Sequence, residues 1–226
     1  MLLELTLGGL LLLVAYLLGS LPTGYLAGVW LKGIDIREHG SGSTGATNVL
    51  RTLGKTPALV VFLVDVAKGG AAIALVDGFY TLVETSVIPI TWKPWLVALA
   101  AFAAILGHSK SIWLNFTGGK SVATSLGVLL AMSWQVALGT FGIFALMLAI
   151  SRIVSLSSLS GAIAVSALMI LLEQPLPYQI FAVVAGLYVV LRHTGNIKRI
   201  LAGTEPKVGQ PLPSTETFND GNQSLL

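Results

Sequence analysis

Four short polar clusters carry the residue types that hold an anion and move a proton. Gly40-Ser41-Gly42-Ser43-Thr44-Gly45-Ala46-Thr47-Asn48 is followed one helical turn later by Arg51, and Gly118-Gly119-Lys120-Ser121 sets a cation behind two glycines. Ser155-Leu156-Ser157-Ser158 and His193-Thr194-Gly195-Asn196 complete the set. Glycine lets backbone N–H groups turn toward an anion, hydroxyls and amides add neutral hydrogen bonds, and lysine or arginine supplies charge. The first two clusters therefore suit phosphate. His193 and Asn196 stand i, i+3 and would share one face of a helical turn. An imidazole with an unperturbed pKa of about 6.5 can carry a proton or donate to phosphate.

Each cluster also has a plainer reading. The glycine-rich run can be a loop between helices, Lys120 a snorkelling anchor, His193 a structural histidine and the serines a means of close helix packing. Three glycines and three hydroxyls with Asn48 and Arg51 favour the anion cradle, and the diglycine before Lys120 admits close approach of backbone to an oxyanion. Two stronger motifs are excluded. Gly40 to Gly45 matches Gly-x-Gly-x-x-Gly, yet no strand precedes it, and the glycine a P-loop requires ahead of Gly119-Lys120 would fall at Leu114. No two histidines share a metal-ligand spacing, so no metal is expected.

The elements that must position these clusters are membrane helices. Of 226 residues 54% are apolar and 10% charged, with a mean hydropathy of +0.85, which is outside the range of a soluble domain. The absence of cysteine removes disulfides and thiolate chemistry. A net charge of +3 without a polybasic block does not point to nucleic acid; anionic headgroups or substrates and the lipid bilayer are the partners expected. Glu4 stands where a signal peptide would carry a cation, so the amino-terminal apolar stretch is expected to stay as a first span. The chain divides into a transmembrane domain at 1–211 and a polar, mobile tail at 212–226.

Apolar runs from Leu5 to Val29, Pro57 to Val76, Pro94 to Leu106, Ile153 to Leu172 and Leu176 to Leu191 read as spanning helices. Val122 to Ile150 has no charge, and as one helix would be roughly 44 Å long against a core of ~30 Å, so it is expected to break near Ser133-Trp134-Gln135. The fold class is then all-α, a polytopic membrane protein with a seven-transmembrane-helix bundle, amino terminus out and carboxy terminus in. That arrangement puts eleven basic residues on one side and only Lys93 on the other, which makes the rich side cytoplasmic and gathers all four polar clusters there. Asp65 and Lys68 lie i, i+3 inside the second span, where mutual neutralisation and a direct role are both open.

Taken together, these residues resemble the bacterial membrane family of acyl-phosphate-dependent glycerol-3-phosphate acyltransferases. The likeness runs from Gly19-Ser20-Leu21-Pro22-Thr23-Gly24-Tyr25 through Gly40 to Arg51, Asp65 to Gly69, Gly107-His108, Gly118 to Thr124 and Ser157-Ser158, ending at His193 to Asn196. The family's segment commonly reads Ser-Gly-Asn-x-Gly-Ala-Thr-Asn, and here Ser43 stands in place of that Asn. The resemblance implies a seven-helix bundle in the bacterial inner membrane, with a cytoplasmic groove that moves an acyl group from acyl phosphate to glycerol 3-phosphate. It implies lysophosphatidic acid and phosphate as products, and no metal, nucleotide or coenzyme A. Carried onto matching positions, it makes His193 and Asn196 the catalytic pair. Substrate contacts fall to Ser41, Gly42, Gly45, Thr47, Asn48, Arg51, Gly118, Gly119, Lys120 and Ser158. The proton acceptor, His193 or a substrate phosphate oxygen, stays open.

A transporter of phosphorylated solutes is the competing class, but its site would lie near the midplane between matching broken helices. A structural subunit explains the glycines and leaves the converging cations without a purpose. A metal-dependent phosphotransferase lacks the aspartate array it would need, having only Asp35, Asp65, Asp77 and Asp220.

Overall fold

The computed structural model describes residues 1–82 and 87–210; the tail expected at 212–226 lies outside the described residues. Among these are ten α-helices: α1 Leu2–Ser20, α2 Thr23–Lys32, α3 Ala46–Thr52, α4 Lys55–Leu82, α5 Lys93–Ser109, α6 Val122–Met132, α7 Trp134–Ser151, α8 Val154–Leu171, α9 Leu176–Arg192 and α10 Thr194–Leu201. The all-helical, membrane-spanning class expected from composition is what the chain adopts. Five runs are long and apolar enough to cross a bilayer: Leu2–Lys32, Lys55–Leu82, Ile90–Ser109, Trp134–Ser151 and Val154–Leu171. A sixth exists if α9 and α10, bent by 61° at His193, count as one. At 11 residues and roughly 16 Å, α6 falls short of the ~30 Å core.

The run expected as one helix from Leu5 to Val29 is two helices, because Pro22 lacks an N–H and pushes Leu21 out of helical geometry, to φ −53°, ψ 117°. Ser20 O then takes a hydrogen bond from Ser111 Oγ at 2.6 Å, and Leu21 O takes one from Lys68 Nζ at 2.9 Å. The interruption expected near Ser133 occurs there, with Ser133 extended at φ −158° between α6 and α7.

Small residues set the helix contacts. A Cβ on Gly19 of α1 would lie 2.2 Å from Ala104 O of α5, and one on Gly107 of α5 2.2 Å from Tyr16 O of α1. The same closeness joins α4 to α6, where a Cβ on Gly127 would sit 1.8 Å from Val66 O. Backbones this near gain dispersion contacts that lipid cannot supply. They fix α6 against α4 and so place the turn that precedes α6.

Candidate active site

The glycine-rich run is a loop tied by one side chain. Asn48, at the start of α3, accepts from Ser41 N at 2.8 Å through Oδ1, and its Nδ2 lies within 3.1 Å of the carbonyls of Ile36, His39 and Ser43. Asn48 is buried, and its amide is engaged with Ile36, His39, Ser41 and Ser43, which ties the loop into shape. Gly24 of α2 packs beneath, since a Cβ there would lie 1.9 Å from Thr44 O. Arg37 joins this loop to the next: it pairs with Asp35 Oδ2 at 2.6 Å and donates to Thr117 Oγ1 at 3.1 Å.

The second cluster follows α5. Gly118 and Gly119 press on the end of that helix, where a Cβ on Gly119 would be 2.1 Å from His108 Nε2 and one on Gly118 2.3 Å from His108 O. Gly119 N–H donates to His108 O at 3.2 Å, and Ser121, at φ 63°, donates from Oγ to Ile105 O at 2.8 Å. Lys120 stands between these two anchored residues and donates from Nζ to Asn196 Oδ1 at 2.5 Å.

The third cluster is the elbow between α9 and α10. His193 Nδ1 lies 2.8 Å from Val189 O, and since a carbonyl only accepts, that nitrogen carries the proton. Nε2 of the neutral ring is then an acceptor. Asn196 Nδ2 donates to Glu205 Oε1 at 2.6 Å, Ser155 Oγ donates to the same oxygen at 2.7 Å, and Arg199 Nε donates to Glu205 Oε2 at 2.7 Å. Glu205 thus fixes which way the Asn196 amide points, turning its oxygen toward Lys120.

These elements enclose a polar cavity of about 180 Å³. Ser41, Gly45, Thr47, Asn48, Arg51, Lys120, Ser158, His193 and Asn196, all expected at the site, line it together. Gly42, Gly118 and Gly119 stand outside the lining, the last two in the wall behind Lys120. Ser155, from the serine cluster, and Asp65, for which a direct role was left open, line the cavity too, as do His108 and Glu205, which the reading of the residues had not placed at the site. A signal for Glu205 existed: a lone carboxylate just beyond the basic Lys198-Arg199 pair.

Charge decides what the cavity accepts. Asp65 is matched by Lys68 at 2.7 Å and Glu205 by Arg199 at 2.7 Å. Lys68 also satisfies Leu21 O, and Asp65 accepts from Thr23 Oγ1 at 2.6 Å, so this pair closes the break between α1 and α2. Arg51 and Lys120 remain as cations without a carboxylate partner among the described residues, which suits a phosphate dianion. Burial, reinforced by Arg199, Arg51 and Arg192 against the opposing pull of Glu205, lowers the Lys120 pKa to about 8. Burial raises the Glu205 carboxyl, but hydrogen bonds from Ser155, Asn196 and Arg199 outweigh it and hold the group below its ordinary value.

A second cavity of about 100 Å³ lies between α6, α7, α8 and α9. Leu126, Leu129, Phe141, Val165 and Phe181 make it apolar, and Phe62, Val122, Ala123, Phe144 and Ser158 line both cavities. A polar, cationic chamber thus shares a wall with an oily one.

Residues 9–203 match the family model described as glycerol-3-phosphate acyltransferase. A glycerol-3-phosphate acyltransferase of Trichormus variabilis is 65% identical over 219 residues, covering 94% of this chain and 96% of its own. One from a Nostoc species is 66% identical over 219 residues, with the same shares of 94% and 96%. The crystal structure of PlsY, an integral membrane glycerol 3-phosphate acyltransferase, in its glycerol 3-phosphate form superposes with a TM-score of 0.79 at 35% identity, over 89% of this chain and 96% of that one. Its lysophosphatidic acid form gives 0.77 at 35% identity, over 89% and 95%.

Proposed function

This chain belongs to the glycerol-3-phosphate acyltransferase family of membrane acyltransferases, and from that premise we propose that it moves a fatty acyl group from acyl phosphate to glycerol 3-phosphate. The products are lysophosphatidic acid and phosphate. The observation that carries the reading is the shared wall between the cationic and apolar cavities, through which one molecule can place an anionic head in the first and a hydrocarbon tail in the second.

Acyl phosphate is a mixed anhydride whose leaving group is phosphate, so the protein needs no covalent nucleophile. Arg51 and Lys120 hold phosphate, with the Ser41, Thr47 and Ser158 hydroxyls beside them. Asn48 acts through the loop it ties and Asn196 through Lys120. His193 Nε2 accepts the hydrogen bond that orients the terminal hydroxyl of glycerol 3-phosphate within ~3.5 Å of the acyl carbonyl carbon. The hydroxyl oxygen bonds to that carbon, the carbon–oxygen bond to phosphate breaks, and the departing phosphate takes up the hydroxyl proton. Charge neutralisation and positioning supply the catalysis. The site faces the cytoplasm from the bacterial inner membrane, the side on which the basic residues gather.

Detergent-solubilised protein is to be incubated with radiolabelled glycerol 3-phosphate and, in parallel, acyl phosphate, an acyl carrier protein thioester or acyl coenzyme A. Labelled lysophosphatidic acid should form with acyl phosphate alone. Product from a thioester and none from acyl phosphate would overturn the donor assignment.

A further inference from the structure

Arg192 is the last residue of α9 and lies outside the polar cavity, yet its side chain crosses to the turn that carries Lys120. Its Nη2 donates to Gly119 O at 3.1 Å and lies 3.4 Å from Gly118 O. Its Nε is buried with no acceptor among the described residues, so the Nη2 contacts are what hold the guanidinium. The opposite side of the same turn cannot retreat, because Gly118 and Gly119 are pressed on His108 and the Gly119 N–H is bonded to His108 O. We infer that Arg192 is a positioning residue for phosphate binding: it clamps the Gly118-Gly119 turn against α5 and so fixes the point from which Lys120 enters the cavity.

The consequence is specific to one kinetic constant. Lys120 holds an anion that is present before and after bond formation, so a displaced Lys120 weakens ground state and transition state alike and appears in KM. A charged hydrogen bond to a carbonyl is a point contact, so lysine at 192 can restore part of it and glutamine, neutral and shorter, cannot. The inference rests on the cavity being the glycerol 3-phosphate site.

Arg192→Gln and Arg192→Lys are to be compared with the parent in detergent by acyl transfer at varied glycerol 3-phosphate, by calorimetric binding of glycerol 3-phosphate and by thermal melting. We expect KM and Kd to rise about tenfold in Arg192→Gln, the loss of one charged hydrogen bond. They should recover at least partly in Arg192→Lys, with kcat changed by less than about threefold in both. Unchanged KM and Kd in Arg192→Gln would overturn the clamp. So would a fall in kcat at constant KM, or equal damage in both variants with melting lowered to match. If Arg192→Gln fails to fold, a parental KM in a folded Arg192→Lys supports the clamp, and a KM as poor as that of Lys120→Ala overturns it. Failure of the parent to bind glycerol 3-phosphate would instead defeat the reading of the cavity.

Discussion

If Lys120 holds phosphate by its charge, activity must fall as that charge is lost, and burial brings the loss into an accessible range. With the group titrating at about 8, roughly one-tenth of Lys120 is protonated at pH 9 and one-hundredth at pH 10. The kcat/KM for glycerol 3-phosphate reports the free enzyme, so it should drop about tenfold per pH unit above 8, or ~1.4 kcal/mol of transition-state binding each. Lys120→Arg replaces the titrating group by one that keeps its proton above pH ~12, so the alkaline limb should vanish whatever the variant's absolute rate. Stability provides an internal control through its sign. The folded pKa lies below the ordinary value of 10.5, so the fold disfavours the ammonium; the cost is full below pH ~8 and is relieved as pH rises toward 10.5. This group therefore cannot lower the melting temperature in the window where the rate falls. The assay is initial phosphate release at limiting glycerol 3-phosphate, with blanks lacking the acceptor. A parent whose kcat/KM stays flat from pH 8 to 10, or an arginine variant with the same decline, would refute the reasoning.

Substitutions at Glu205, at the Asp65–Lys68 pair and at Gly119 test the supporting network. Glu205→Ala leaves Ser155, Asn196 and Arg199 without their acceptor and should cost about 3 kcal/mol in denaturant unfolding, together with acyl transfer, whereas Glu205→Gln keeps one oxygen and loses less. Because the Glu205 carboxyl is held below its ordinary value, its contribution is present above that value and is lost as pH falls through the folded pKa, so the gap between parent and Glu205→Gln should close in acid. Asp65→Asn should cost about 3–5 kcal/mol by stranding the Lys68 charge, and adding Lys68→Met should return part of the melting temperature; an additive double variant would deny the pairing. Gly119→Ala drives a methyl into the His108 ring and should lower stability by about 1–3 kcal/mol while raising KM for glycerol 3-phosphate, as melting and kinetics on one preparation would show.

The interruption at Ser133 was legible because 29 uncharged residues exceed the bilayer, an argument from length that needs no local signal. The interruption at Pro22 had a local signal, but hydropathy runs unbroken from Leu5 to Val29 and length alone did not demand a second helix. The diglycine was legible as a place of close approach, and what approaches is the His108 ring. That identity depends on how α5 ends, a tertiary fact. The partners of Glu205 were hidden for the same reason: Ser155 and Asn196 lie on α8 and α10, and nothing in Gly203-Thr204-Glu205-Pro206 points to either.

The membrane explains why the site and its buried charges occur together. Hydrocarbon offers no partner for a freed backbone carbonyl, so irregular backbone survives at depth only where side chains satisfy it or where it borders a cavity. Every polar cluster here sits at such an irregularity: Pro22, the loop before α3, Ser121 and Arg152 at positive φ, and the 61° elbow at His193. Donors from elsewhere in the chain satisfy the freed carbonyls at three of these. Ser111 and Lys68 serve the carbonyls at Ser20 and Leu21, Arg192 those at Gly118 and Gly119, and Val208 N–H that at Arg152. Asp65 pairs with Lys68, whose charge would otherwise stand unpaired beside the broken helix. A phosphate site at the end of a helical bundle needs interrupted helices to expose donors, and interrupted helices in lipid need other donors for the carbonyls they free, two of which here are the cations Lys68 and Arg192. If the cavity takes phosphate as proposed, Lys68 and Arg192, which do not line it, are as much a condition of that binding as Arg51 and Lys120, which do.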